Sequence, residues 1–238
     1  MSVDAHRSDE LGRAYAGSQL QIQTYVNRRQ EAFSAAVVKS VPALREAGAH
    51  LRWVSPLERD RFAEFRDAEF LAALGQARHA GRLAQFWPSR GPDWDGLAVV
   101  VLPSAPPGVL LVEAKSYPDE MRGPGCMAES ERSIAMITRA LDHTKKWLGV
   151  SPDRDWTGKL YQYANRLAHL YFFREICGVQ AWLANLCFLN DPHRPTNREE
   201  WDAGLTQVKG ELGLSSTSEE YVSDIFLSAA QRSELVGG

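Results

Sequence analysis

The chain has 238 residues, of which 44% are hydrophobic and 24% are charged, and its formal net charge is -3. These values are those of an ordinary soluble domain with one sizeable core or at most two small ones. No apolar run approaches the roughly 18–20 residues of a membrane span, so no membrane partner is expected. The acidity weighs against a dedicated duplex-binding module. It does not exclude a nuclease, because metal ions neutralise part of an acidic site.

The N-terminus and the cysteines indicate a cytoplasmic protein. Residues 1–10 are polar and carry no secretion signal pattern. Cys126, Cys177 and Cys187 are odd in number and widely spaced, which predicts buried thiols rather than disulfides or a zinc site. We expect residues 1–18 to be flexible and residues 19–238 to form a single domain.

The first part of the chain predicts two helices separated by a short strand. Apolar residues recur with helical spacing over residues 19–39, and residues 50–54 are a strand candidate. A second helix is expected over residues 55–74, with Ser55 as its N-cap and a glutamate at the capping-box position. Residues 76–87 are ambiguous and could form a third short helix or a strand.

The middle of the chain predicts two paired strands. Residues 96–102 and 109–115 are near-continuous apolar runs, typical of strands buried on both faces, and the loop rich in proline between them favours a hairpin. The elements predicted after this pair are helices over 129–148 and 157–177, a strand over 179–189, a helix opened by a capping box at 196–199, and a strand over 221–227. This order predicts an α/β or α+β fold with a mixed central sheet flanked by helices.

Acidic and basic side chains gather where these two strands begin and end. Glu113 and Lys115 lie two residues apart and therefore on one face of their strand, and Asp93 and Asp95 precede the neighbouring strand. Carboxylates are the ligands that Mg²⁺ prefers, and such a metal promotes hydrolysis of phosphate esters. A lysine beside them could orient water and stabilise developing negative charge.

This pattern resembles the PD-(D/E)xK nuclease superfamily, whose fold is restriction-endonuclease-like. The matching residues are Pro92-Asp93 or Trp94-Asp95, followed by Glu113-Ala114-Lys115 at the end of the next apolar strand. The resemblance covers roughly residues 55–190 and implies an αβββαβ core. It also implies hydrolysis of nucleic-acid phosphodiester bonds with Mg²⁺ or Mn²⁺, with DNA expected ahead of RNA. Many enzymes of this fold pair up to cut both strands, so a homodimer is a further expectation.

The resemblance leaves two aspartates as candidates for the metal ligand beside Glu113. Asp93 fits the literal Pro-Asp pair, whereas Asp95 directly precedes the strand. Both have the same parity, so strand alternation does not separate them. Asp95 is favoured because a strand edge positions a ligand more rigidly than a loop does. Lys115 is then expected to position the attacking water.

The flanking helices are expected to contribute further residues. The superfamily often adds an acid from the helix before the sheet, and Glu64 is the first candidate here, with Glu69 close behind. On the helix after the lysine, Gln162 and Arg166 are four residues apart and lie on one stripe. They are expected to support the site, with the arginine as a phosphate clamp.

Two residues near the acids are candidates for nucleic-acid contact. Trp94 lies between Asp93 and Asp95 and could stack on a base, although structural packing is the favoured interpretation of its ring. Arg90 could meet a backbone phosphate. The alternative function is a catalytically inactive protein of the same fold that acts as a binding or scaffold module, which the acidity of the chain favours.

Overall fold

A five-stranded mixed sheet forms the centre of the protein. The computed structural model describes residues 7–214 and 220–237. The strands run in the order of the chain: β1 (His50–Ser55), β2 (Gly96–Val101), β3 (Gly108–Lys115), β4 (Ala181–Leu189) and β5 (Val222–Ser228). The first three strands pair antiparallel, and the β3–β4 and β4–β5 pairs are parallel. The predicted mixed sheet and the predicted hairpin are therefore confirmed.

Helices cover both faces of this sheet. Within the described residues they are α1 (Gly17–Arg28), α2 (Gln30–Ser40), α3 (Pro42–Glu46), α4 (Asp67–Ala73), α5 (Ala80–Phe86), α6 (Glu131–Trp147), α7 (Tyr161–Tyr171), α8 (Arg198–Leu212) and α9 (Arg232–Val236). One π-helical turn, Phe172–Ile176, continues α7. In the described part of the chain, every helix is too short or too polar to cross a bilayer.

The two faces of the sheet bury two separate apolar clusters. Leu111 and Leu183 face the layer of α4 to α8, whereas Val112 and Ala184, one residue further along, face α1 and α2. This alternation is the two-residue period of a strand that is buried on both sides. Glu113 has the parity of Leu111, so the sheet directs its side chain toward α7.

The helix predicted over residues 55–74 is wrong. Ser55 is the last residue of β1, and its hydroxyl donates to the carbonyl of Ala63 instead of capping a helix. Glu58 binds Arg28 at 2.7 Å, so its carboxylate is not available for a capping box. An ion pair with α1 and a hydrogen bond to Ala63 thus outcompete the local signal. The α-helix in this region is α4, and a short 3₁₀ helix, Glu58–Asp60, precedes it.

The helix predicted over residues 19–39 is two helices. The backbone leaves the helical region at Arg29, where φ is -124° and ψ is 23°. The break lets Ile22 of α1 and Phe33 of α2 both pack into the cluster on one face of the sheet. The ambiguous residues 76–87 contain the helix α5.

Two smaller predictions also need correction. The capping box of α8 consists of Asn197 and Glu200, one residue later than expected. Residues 7–16, expected to be flexible, pack against the body of the protein, since Ala14 is fully buried and Asp9 forms an ion pair with Arg232 at 3.2 Å. Residues 1–6 of that predicted flexible segment lie outside the described residues.

Candidate active site

The hairpin of β2 and β3 brings the favoured aspartate to the predicted glutamate and lysine. Gly96, the first residue of β2, pairs with Val112 of β3. Asp95 therefore stands beside the end of β3, where its Oδ2 accepts the backbone N–H of Ala114 at 2.7 Å. Ala114 lies between Glu113 and Lys115 in the chain, so this hydrogen bond fixes Asp95 close to both of them.

Glu113 is held by two cations. Its Oε1 lies 2.5 Å from Nζ of Lys115, and its Oε2 lies 2.6 Å from Nε of Arg166. The exposed fraction is only 6% for Glu113 and 4% for Arg166, so water solvates their charges poorly. The two opposite charges stabilise each other in its place. Burial favours a higher pKa for Glu113, but Arg166 and Lys115 outweigh it and lower the pKa. Glu113 is consequently a carboxylate.

The pKa values of Asp95 and Lys115 are shifted by burial and by the neighbouring charges. Burial, followed by the negative charge of Glu113, raises the pKa of Asp95 to about 6. Burial alone would lower the pKa of Lys115, but the carboxylates of Glu113 and Asp95 outweigh it and raise that pKa. Lys115 is therefore held as a cation beside the acids.

Glu64 also reaches this cluster, although not from a helix. It lies in the extended segment before α4, and the next residue, Phe65, forms an isolated antiparallel bridge with Trp94. That bridge places the segment alongside the entry to β2. Oε1 of Glu64 accepts a hydrogen bond from Gln19 at 3.2 Å. Burial, then the charge of Asp95, raises the pKa of Glu64 to about 8.

These acids fit a hard divalent cation by the chemistry of their oxygens. No hydrogen bond from the described residues reaches Oδ1 of Asp95 or Oε2 of Glu64. The raised pKa values of both groups reflect burial and repulsion that a bound cation would relieve. Over residues 7–214 and 220–237, no group of three or more His, Cys, Asp or Glu side chains is arranged to hold a metal ion. Two carboxylates can suffice for Mg²⁺, because this ion keeps several of its waters.

The two supporting residues predicted on α7 have different roles. Gln162 lines a cavity of ≈ 10 Å³ together with Glu113 and Lys115, which is room for about one water molecule. Arg166 is not a free phosphate clamp, because it binds Glu113 and also donates from Nη2 to the backbone carbonyl of Asp93 at 2.8 Å. It joins the acid site to the loop before β2.

The remaining predicted residues are Asp93, Glu69, Trp94 and Arg90. Within the described residues, their side chains form no hydrogen bond with the carboxylates of Asp95, Glu113 and Glu64. Asp93 is exposed and lies 3.5 Å from Arg66, and Glu69 is exposed on α4 without a hydrogen bond to the other acids in the described structure. Trp94 is fully buried, so its ring is not available to stack on a base. Arg90 is exposed, and its backbone N–H binds Asp67 at 2.9 Å.

Sequence reasoning missed a polar row that continues from the site across the sheet. Asn185 of β4 pairs with Glu113, and Asp224 of β5 pairs with Asn185. The amide of Asn185 donates to the hydroxyl of Tyr163 at 2.8 Å and to Asp224 at 2.9 Å. Lys209 binds Asp224 at 2.6 Å. The sequence feature that could have indicated this row is an asparagine in an otherwise apolar strand, because a buried amide group needs hydrogen-bond partners.

Comparison of the chain with models of protein families, with curated proteins and with solved structures found no match. The function must therefore be inferred from the side chains of the site itself. These are three carboxylates, a lysine and an arginine that contact each other or interact through their charges at the end of β3.

Proposed function

We propose that this protein is a Mg²⁺- or Mn²⁺-dependent nuclease that hydrolyses phosphodiester bonds of nucleic acid, with DNA placed ahead of RNA. The observation that supports it most is the meeting of Asp95, Glu113 and Lys115 where β2 begins and β3 ends. Glu64 adds a fourth charged group beside them. The resemblance of these residues to the PD-(D/E)xK superfamily supports the same chemistry.

Asp95 and Glu113 would hold the metal, assisted by Glu64. Asp95 and Glu64 each present one carboxylate oxygen that no described residue binds. A divalent cation bound there withdraws charge from phosphate oxygens and lowers the pKa of a bound water. Glu113 contributes fixed negative charge next to Asp95, held in place by Lys115 and Arg166.

Lys115 is the residue to which we assign the positioning of water. Its ammonium group remains protonated because Glu113 and Asp95 raise its pKa. The same side chain lines the water-sized cavity next to Gln162. From this position it would donate a hydrogen bond to a water or to a phosphate oxygen. It would thereby stabilise the negative charge that develops as the water attacks phosphorus and the phosphorus–oxygen bond to the leaving group breaks.

Cleavage of plasmid and oligonucleotide substrates with and without Mg²⁺ or Mn²⁺ tests this function. The wild type should cleave only with metal, and Lys115→Ala should lose about a hundredfold in rate or more. Lys146→Ala, an exposed lysine on α6, is the matched control and should cleave like the wild type. Equal rates for Lys115→Ala and the wild type would contradict the assignment. Sedimentation of the same samples checks the expected homodimer.

The second candidate is a binding or scaffold module that does not hydrolyse its ligand. It is favoured by the fact that both oxygens of Glu113 are already bound, one by Lys115 and one by Arg166. Calorimetric titration with Mg²⁺ and Mn²⁺ separates the two functions. A nuclease should bind metal and lose that binding in Asp95→Asn, whereas absence of binding to the wild type favours the module.

The three free cysteines agree with the expected cytoplasmic location, which stays part of this proposal.

A further inference from the structure

The buried polar row crosses the sheet and ends at the acid site. It consists of Asn185 on β4, Asp224 beside it on β5, and Lys209 of α8, whose Nζ lies 2.6 Å from Asp224. Asn185 also pairs with Glu113 on β3, and paired residues of parallel strands direct their side chains to the same face. The row therefore ends next to the carboxylate that binds Lys115.

The fold itself does not require an amide at this position of β4. The strand Ala181–Leu189 is otherwise apolar, and burying an amide is costly unless it is hydrogen-bonded. Replacing buried polar groups with well-packed apolar side chains is often neutral or even stabilising. An amide that is only 5% exposed, directly beside Glu113, therefore indicates a role in the site rather than in the core.

Asp224 determines the direction in which the amide of Asn185 points. A carboxylate only accepts hydrogen bonds, so the atom of Asn185 that faces Asp224 must be the nitrogen Nδ2. This nitrogen donates to Oδ1 of Asp224 at 2.9 Å and to the hydroxyl of Tyr163 at 2.8 Å. Both of its N–H groups are thereby used. The carbonyl oxygen Oδ1 of Asn185 accepts no hydrogen bond from the described residues, so it is an acceptor with a fixed direction.

The cavity of ≈ 10 Å³ connects this row to Lys115. Its walls include Asn185, Tyr163, Glu113 and Lys115. Within the described residues, the ammonium group of Lys115 donates to Glu113 and forms no direct hydrogen bond with Asn185. A buried water molecule typically forms about three hydrogen bonds. Lys115 and the hydroxyl of Tyr163 offer donors to one water here, and Oδ1 of Asn185 offers the acceptor.

We propose that Asn185 positions Lys115 through one water molecule bound in this cavity. The ammonium group donates to the water, and the water donates to Oδ1 of Asn185. Lys115 has three N–H groups. One binds Glu113 and the second binds this water, so the third is left in a defined direction.

The catalytic consequence of this arrangement rests on the proposed function. The third N–H group of Lys115 is the one that would meet the attacking water or a phosphate oxygen. The water in the cavity is structural and distinct from the attacking water. Asn185 contacts neither metal nor substrate here, so it is a positioning residue that acts through Lys115.

Nuclear magnetic resonance of the lysine ammonium groups tests the proposal without catalysis. The chain has six lysines, so ¹H–¹⁵N spectra of protein labelled with ¹⁵N-lysine are simple, and Lys115→Arg assigns the signal of Lys115. Asn185→Leu removes the acceptor. Asp224→Asn lets the amide of Asn185 turn, because an asparagine side chain can also donate. Both variants should shift the Lys115 signal and speed its hydrogen exchange with solvent by about tenfold, as expected for the loss of one hydrogen bond to a charged group.

Gln21→Leu is the matched control, because it also replaces a buried amide by leucine. Gln21 of α1 lies on the other side of the sheet, where its side chain binds the backbone of Ala230. This variant should leave the signal and the exchange rate of Lys115 unchanged. Circular dichroism and Tm verify the fold of every variant. Asp224→Asn is nearly isosteric and decides the question alone if Asn185→Leu does not fold.

Cleavage kinetics with Mg²⁺ provide the second measurement. Asn185→Leu and Asp224→Asn should each lower kcat by about tenfold and leave KM unchanged, because they remove a hydrogen bond of Lys115 and no contact with substrate. In a Lys115→Met background the same two changes should have no further effect on kcat. A residue with a merely structural role would lower the rate equally with and without the lysine.

Two results would overturn the positioning role of Asn185. They are a Lys115 signal that is the same in both row variants as in the wild type, and an equal fall in kcat with and without Lys115. The expected change of the Lys115 signal in a protein whose wild type never cleaves would contradict only the nuclease function. Metal-dependent cleavage with a Lys115 signal that ignores Asn185 and Asp224 would contradict only the positioning role.

Discussion

Arg166 and Glu113 form a buried ion pair in which the guanidinium Nε lies 2.6 Å from the carboxylate Oε2. The same guanidinium donates to the carbonyl of Asp93 and lies 4.9 Å from the centre of the Trp94 ring. Arg166 therefore fixes the glutamate of β3 relative to the loop that carries Asp95. The residue expected to contact substrate is instead the one that assembles the site.

Replacing Arg166 by methionine should destabilise the protein strongly. Arg166→Met keeps most of the aliphatic stem but leaves the buried carboxylate of Glu113 with Lys115 as its remaining cation. Breaking a buried pair from one side costs about 3–5 kcal/mol. Urea unfolding measures this loss. The control is Arg59→Met, whose partner Asp60 is also exposed, and it should cost less than about 1 kcal/mol. Equal losses in both variants would contradict the structural role of Arg166.

Glu64→Gln should stabilise the metal-free protein at alkaline pH. Folding raises the pKa of Glu64 from its ordinary value of 4.5 to about 8 through burial and the charge of Asp95. The stabilising contribution of this group is therefore complete below about pH 4.5 and is lost as the pH rises to about 8. A neutral glutamine avoids that loss, so the variant should gain on the order of 1 kcal/mol above pH 8.

Unfolding of wild type and Glu64→Gln in EDTA, across this pH window, measures the difference. The gain should shrink toward pH 4.5, where Glu64 is protonated in both states. Glu69→Gln is the control, because Glu69 is exposed on α4, and it should change the free energy of unfolding by less than about 0.5 kcal/mol. A Glu64→Gln variant that is less stable than the wild type at pH 8 would show that burial and the charge of Asp95 do not destabilise the ionised form of Glu64.

Two glycines of α8 offer a matched test of packing behind the site. A Cβ on Gly204 would lie too close to the Pro118 ring, whereas a Cβ on Gly210 has no atom within 4 Å. Alanine is favoured over glycine in a helix by about 1 kcal/mol. Gly210→Ala should therefore raise the free energy of unfolding by up to that amount, and Gly204→Ala should lower it by about 1–3 kcal/mol. Thermal and urea unfolding of the two variants should move in opposite directions.

The central hairpin and the face of Glu113 could be predicted because both depend on local pattern. A strand buried on both sides is a continuous apolar run, and this run locates β2 and β3 to within a residue of their observed bounds. The two-residue period then puts Glu113 and Lys115 on one face. Asp95 could be favoured over Asp93 because it adjoins the strand, and its bond to Ala114 agrees with that choice.

The route by which Glu64 reaches the site could not be predicted, because it depends on contacts between distant parts of the chain. The carboxylate of Glu58 binds Arg28, and Phe65 forms an isolated β-bridge with Trp94. The α-helix that the local sequence predicts from Ser55 therefore does not form. The position of Asn185 beside Glu113 likewise depends on the register of two parallel strands that are separated by two helices. Sequence periodicity identifies which residues share a face, but not which distant strand lies next to them.

His169 should make the protein less stable as the pH falls from about 6.5 to about 4. Burial among aromatic side chains lowers its pKa to about 4, although Nδ1 lies 2.8 Å from the carbonyl of Asn165. Because the unfolded chain binds a proton below about pH 6.5 and the folded chain does not, the stabilising contribution is present above pH 6.5 and lost toward pH 4, by on the order of 2 kcal/mol. His169→Gln should flatten this part of the stability profile, whereas His143→Gln, at an exposed position of α6, should leave its slope unchanged. A wild-type slope that persists in His169→Gln would assign the pH dependence to other groups.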